Sequence, residues 1–155
     1  MVAEASGRGE VVINSGAKSE RMVRSRFPLL PPQGFVEYGN YIGATISIAN
    51  ELAIPQVHLV VMIGKAVKLA AGHLDTHSRR STMDRDFIAS MLVEAGCDEI
   101  VVEKAHEITL ARELWDIIPQ DKIGSFLSVL TAHCHKVCDH IMTKEQLEII
   151  ILKDE

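Results

Sequence analysis

The chain has 155 residues, 47% of them hydrophobic, with 24% charged and a formal net charge of −5. That length and a mean hydropathy of +0.13 permit one domain with a sizeable core and exclude a disordered chain. No stretch approaches the roughly 18 apolar residues of a membrane helix, and MVAEASGRGE lacks the apolar core of a signal peptide. Three cysteines in the whole chain argue for reduced thiols in the cytoplasm and against a disulfide framework.

The charge is segregated. Residues 11–85 hold nine Lys or Arg against five Asp or Glu, whereas residues 86–155 hold six against fourteen. The basic half would attract a polyanionic ligand. Nucleic acid is a poorer fit, because the chain is acidic overall and its seven aromatic residues are not interleaved with the basic ones.

Residues 1–10 are expected to form a flexible leader or a junction, with a single α/β domain over 11–155. VVIN at 11–14 is a short strand. It leads into Asn14, Ser15 and Gly16 and then a helix to about Phe27, a strand–turn–helix order whose glycine lets backbone approach a ligand and whose Ser15 or Ser19 can cap the helix. Pro28, Pro31 and Pro32 stop that helix and force an extended crossing. Gly34–Tyr38 is the second strand, followed by Gly39-Asn40-Tyr41-Ile42-Gly43 and a helix over 44–53. These glycines are spaced GxxxG, not GxGxxG, so the turn is not a nicotinamide site. Asn40 can donate to and accept from a ligand or simply hold its own turn, and close packing of helix on sheet is a sufficient reason for Gly43.

The third strand, VHLVVMI at 57–63, has six apolar residues in seven and should be buried on both faces of a parallel sheet. Gly64 ends it, and Lys65–Ala71 forms a helix that places Lys65 and Lys68 on one face, with Gly72 as its C′ residue. Ligands of parallel α/β sheets bind beyond the carboxyl ends of the strands, which is where Gly64 and Lys65 fall. The segment His73–Arg80, HLDTHSRR, gathers two histidines, two hydroxyls, a carboxylate and two guanidiniums. That density makes Thr76, His77 and Ser78 candidates for catalysis, with His77 suited to moving a proton near neutral pH. Ser81 or Thr82 is expected to cap the helix beginning near Asp84.

The strings NSGAKSE, GNYIG and GKAVKLAAGHLDTHS, in this order and spacing over roughly residues 10–96, resemble the carboxyl-terminal half of the CbiD family, cobalt-precorrin-5B (C-1)-methyltransferase. The resemblance implies methylation of a corrin ring carbon by S-adenosyl-L-methionine, in the anaerobic, early-cobalt route to cobalamin. Family members are about twice as long, and their amino-terminal half has no counterpart here. The resemblance and the turns together assign Asn14, Ser15, Gly16, Gly39, Asn40 and Gly43 to the cofactor. Gly64, Lys65, Lys68, His73 and Arg79 are assigned to the corrinoid and its carboxylate arms. An amino-terminal half chain or a second copy would be a partner.

The βα repetition implies a Rossmann-like three-layer α/β fold: a parallel sheet of four to five strands with helices on both faces, joined by right-handed crossovers. Further on, 84–95 is an amphipathic helix closed by Gly96, and 100–102 is a short strand or the start of a helix. Residues 108–118 and 122–142 have helical spacing, and LEIIIL at 147–152 is a final strand, suited to an edge. Cys134 and Cys138, four apart among His133, His135 and His140, share a helix face and could join a zinc site. Core packing explains such cysteines as well, and the family resemblance assigns no metal there.

Overall fold

The structure is a computed structural model that describes residues 9–74 and 83–153. Strands β1 (Glu10–Asn14), β2 (Phe35–Glu37), β3 (Gln56–Met62) and β4 (Leu147–Leu152) form one sheet in the order β2-β1-β3-β4, and every pairing is parallel. The helices are α1 (Ala17–Val23), α2 (Ile42–Glu51), α3 (Ile63–Ala70), α4 (Arg85–Glu94), α5 (Glu99–Ala105), α6 (Leu114–Ile117) and α7 (Gln120–Cys138). Short 3₁₀ turns occupy Arg24–Arg26, Pro32–Gly34 and Ala111–Glu113.

Handedness fixes the layers. The chain leaves β1 in one direction to reach β2 and then crosses back to β3 and on to β4, so right-handed crossovers put α1 on one face and the later helices on the other. The cores agree. Val11, Ile13, Leu59 and Val61 face the large cluster with α2–α5 and α7, while Val12, Val60, Ile150 and Leu152 face a small one with Val23, Leu30 and Phe35. The sheet is therefore covered thickly on one side and thinly on the other.

Most elements lie where the sequence places them, with small displacements that have local causes. The first helix ends at Val23 and tightens to 3₁₀ over Arg24–Arg26 before Pro28. The alternative at 100–102 resolves to helix, because Asp98 accepts from the Val101 N–H at 3.2 Å and caps α5. The cap of α4 is likewise Asp84, whose Oδ1 accepts from the Phe87 N–H at 3.0 Å; the Ser81 and Thr82 expected there lie outside the described residues. The 108–118 helix is broken into the 3₁₀ turn at Ala111–Glu113 and α6. Gly72 is the C′ residue as expected. Its φ is +106°, its N–H donates to Leu69 O at 2.9 Å, and the His73 N–H donates to Lys68 O at 3.0 Å, the two bonds of a Schellman motif.

His58 is the one polar side chain between Val57 and Met62 of β3. It is 8% exposed, with Nδ1 2.6 Å from Glu148 on β4 and Nε2 2.9 Å from Glu10 on β1, so one imidazole links three strands through their side chains. Phe27 packs on its ring with centroids 4.5 Å apart. Cys134 and Cys138 are both fully buried in α7, and the Cys134 thiol donates to Ala66 O at 3.3 Å, which makes them core residues facing α3. Among the described residues no group of three or more His, Cys, Asp or Glu is arranged to hold a metal ion.

Gly34 shows how closely the thin face is packed. A Cβ there would lie 2.5 Å from Leu30 Cγ, and Leu30 is itself buried. Gly34→Ala is expected to cost about 1–3 kcal/mol through forced repacking. The urea midpoint of the purified chain measures it, and an unchanged midpoint would show that this face yields freely.

Candidate functional site

In a sheet ordered β2-β1-β3-β4, the connections from β1 and from β2 to β3 depart in opposite senses, so the switch point lies between β1 and β3. A crevice of roughly 500 Å³ opens there. Its walls come from Ser15 after β1, Met62 at the end of β3, Gly64, Lys65 and Lys68 on α3, and Leu110, Ala111 and Arg112 from the segment before α6. The strand passes into α3 without a spare residue, which is why Gly64 and Lys65 reach the crevice while Ile63, Ala66, Val67 and Leu69 stay in the core.

Lys65 joins two of the predicted turns. Its Nζ donates to Gly39 O at 2.5 Å and lies 5.0 Å from the centre of the Tyr38 ring. Burial, and then the charge of Lys68, hold the Lys65 ammonium below the usual lysine range. Tyr38 is 3% exposed and its hydroxyl donates to Val60 O at 2.9 Å, so the ring beneath Lys65 is a fixed platform. Burial pushes the Tyr38 phenol far up, against a smaller opposing effect of the nearby Ser15 side chain.

The Asn14–Gly16 turn is largely closed on itself. Asn14 Oδ1 accepts from the Gly16 N–H at 3.1 Å, and Ser19 Oγ accepts from the Ser15 and Gly16 N–H groups at 3.1 and 3.3 Å. The Ser15 hydroxyl is 3.0 Å from that of Ser19. Those backbone donors are spent inside the turn, so what Ser15 offers the crevice is a hydroxyl at its wall. Asn14 is fully buried, and its Nδ2 has no partner among the described residues.

At the other predicted turn, a Cβ on Gly43 would lie 3.1 Å from Leu74 Cβ, and the Gly43 N–H is 3.4 Å from Leu74 O. Gly43 thus lets the end of the α3 segment pack on the start of α2. Gly39 has φ +59°, a conformation that favours glycine and that turns its carbonyl to Lys65. Asn40 is half-buried in the same turn, and His73 is exposed beside Leu74. Ser15, Gly64, Lys65 and Lys68 therefore share one crevice, with Gly39 tied to its rim and Gly43 to the neighbouring loop. Thr76, His77, Ser78 and Arg79 lie outside the described residues.

Arg112 was missed by sequence reasoning. It sits in the acidic half, in a stretch with helical spacing and no motif, and only the folding of the 3₁₀ turn against α3 brings it to the crevice. Glu113, its neighbour, is occupied locally: Oε2 accepts from the N–H groups of Leu110 and Thr109 at 2.7 and 2.8 Å, which holds its carboxyl below the usual range.

The chain is thus an all-parallel, doubly wound α/β domain of the Rossmann-like class, with a cationic crevice at its switch point, where such folds receive their ligands. The chain belongs to the CbiD family: the family model described as "CbiD, C-terminal domain" matches residues 75–155. That span reaches to the end of the chain, well past the motifs that carry the resemblance in the first half. Among curated proteins, the cobalt-precorrin-5B C(1)-methyltransferase of Prosthecochloris aestuarii is 33% identical over 152 residues, which are 97% of this chain and 41% of the relative. Proteins of the same name from Geobacillus sp. WCH70 and Salinispora tropica are 32% and 39% identical, over 86% and 74% of this chain and 36% and 31% of their own lengths. The chain thus spans about two fifths or less of the relatives it matches. No solved structure matches. Among the described residues no helix is long and apolar enough to cross a membrane.

Proposed function

We propose that this chain is the carboxyl-terminal part of a cytoplasmic cobalt-precorrin-5B C(1)-methyltransferase of cobalamin biosynthesis, acting on a corrin ring carbon with S-adenosyl-L-methionine as methyl donor. The observation that carries the reading is the coincidence of a family match along nearly the whole chain with a switch-point crevice walled by Lys65, Lys68 and Arg112. A corrin precursor carries a rim of acetate and propionate arms, and a fixed ammonium or guanidinium is the usual protein partner of a carboxylate.

Catalysis by such residues is mostly placement. A methyl sulfonium is already an activated electrophile, so the protein must hold the acceptor carbon in line with it and keep water out. Lys65, supported by Tyr38 and Gly39, and Lys68 would fix the acceptor through its arms. The volume of the crevice suits an arm or a ring edge rather than a whole macrocycle, so the ring would lie across its mouth. His77, flanked by Thr76 and Ser78, is proposed to handle a proton or orient the ring, with Arg79 on a further carboxylate. His77→Ala in the complete enzyme should lower turnover about 10²–10⁴-fold if His77 is a general acid or base. Unchanged turnover and substrate affinity would remove that role.

A second reading is favoured by the fraction of the relatives that the chain spans. In it, these residues bind the acceptor, while residues outside them, or a second copy, complete the donor site. Calorimetric titration of the chain with S-adenosylhomocysteine and with a cobalt corrinoid polycarboxylate separates the two. Saturable binding of both supports a domain that carries both sites. Corrinoid binding alone, weakening as salt is raised, supports the second reading, and binding of neither overturns both.

A further inference from the structure

We infer that the switch-point crevice takes the carboxylate arms of the acceptor and excludes the methyl donor, and that Arg112 is the residue that closes its cationic wall. The ligand's identity rests on the function proposed above, but the charge argument stands on the crevice itself.

In doubly wound folds the switch point commonly receives a nucleotide cofactor. Here its lining argues otherwise. Lys65, Lys68 and Arg112 place three cations around one crevice, and among the described residues no acidic side chain lines it. Among the described residues none of the three forms a salt bridge. S-adenosylmethionine carries a sulfonium and an ammonium against a single carboxylate, so it enters with one net positive charge. Three like charges around a half-buried pocket repel it, whereas two or more carboxylates neutralise the same wall. The backbone supports the exclusion. The N–H groups of Ser15 and Gly16, which would cradle a nucleotide in such a fold, are bonded to Ser19 and Asn14.

Arg112 supplies what the two lysines cannot. Its guanidinium presents a planar fork that binds a carboxylate through two parallel bonds, and it approaches from the segment before α6, across the crevice from α3. Leu110 and Ala111 beside it, with Met62, give the pocket an apolar lining suited to the methylene of an acetate or propionate arm. Arg112 is exposed and Glu113 is held by backbone N–H groups, so removing the guanidinium leaves the local turn intact.

The test is a titration of the ¹⁵N-labelled chain with tricarballylate, a three-carboxylate probe, and separately with sinefungin, which keeps the donor's positive charge. Tricarballylate should shift the amides of Gly64, Lys65, Ala111 and Arg112, and sinefungin should leave them in place. Arg112→Gln should weaken tricarballylate about 10-fold or more, and Arg112→Lys should recover part of that loss by restoring charge without the fork. Equal affinity in Arg112→Gln, or sinefungin shifting these amides, overturns the inference. Arg112-dependent tricarballylate binding in a chain whose complete enzyme methylates no corrinoid would remove the proposed function and leave the carboxylate site standing. Methylation without Arg112-dependent binding would sink the carboxylate site alone.

Discussion

Phe126→Ala should destabilise the chain by about 3–5 kcal/mol, a large share of the roughly 5–15 kcal/mol that holds a domain folded. Phe126 is 1% exposed and heads the buried stripe Phe126, Leu130, Cys134 and Cys138 on α7, which packs against α3. Removing the ring forfeits its transfer free energy and leaves a cavity that two helices cannot both close, because Leu130 and Cys134 fix their spacing. The consequence reaches the site, since α3 carries Lys65 and Lys68 on the side away from α7. Urea unfolding gives the number directly. A loss below about 1 kcal/mol would mean that α7 docks loosely and that α3 is held by the sheet alone.

Lys65 should make anion binding depend on pH in a way that arginine abolishes. Burial and Lys68 lower its pKa below the usual lysine range, so in the folded chain the ammonium loses its proton before an unfolded lysine would. Between those two values the unfolded chain binds more protons, and the contribution of Lys65 to stability rises with pH. Ligand binding has the opposite sign. A carboxylate beside Nζ favours the charged form, so its affinity is full below the lowered pKa and declines as pH climbs through it. Lys65→Arg keeps the charge throughout and should flatten the decline, while Lys65→Met should weaken tricarballylate about 10–100-fold near neutrality. A wild-type profile that declines no more steeply than that of Lys65→Arg would show that Lys65 does not contact the anion. Lys65→Met binding as tightly as wild type would show the same.

Several parts of this architecture were legible without coordinates because their causes are local. The apolar run of β3 cannot be solvated, Gly72 is the residue that a left-handed helix end accepts, and Pro28, Pro31 and Pro32 cannot continue a helix. The lysines of α3 follow from the same locality, since a three-residue spacing puts Lys65 and Lys68 on one face wherever the helix lies. Features left open or displaced were those with two local solutions. A run such as IVV after Asp98 suits strand or helix, and the Asp98 cap decides it; the cap of α4 falls at Asp84, whose carboxylate accepts from the Phe87 N–H.

The long-range facts had no local signature. Glu10, His58 and Glu148 meet only because three parallel strands bring them into register, and nothing in VHLVVMI announces that its histidine will lie between two carboxylates. Gly39 and Lys65 were assigned to different ligands from sequence, yet one hydrogen bond joins them. Arg112 lay in a half of the chain dominated by acidic residues, in a stretch without a motif.

The sequence by itself determined the succession of βα units, the parallel sheet that follows from right-handed crossovers, and the family, because these depend on hydrophobic period, turn residues and motif order along the chain. Tertiary structure decided the strand order, hence the position of the switch point, and the set of side chains that share it. The reason is that a crevice's charge is a sum over residues distant in sequence, and packing alone sets which of them stand within reach of one ligand.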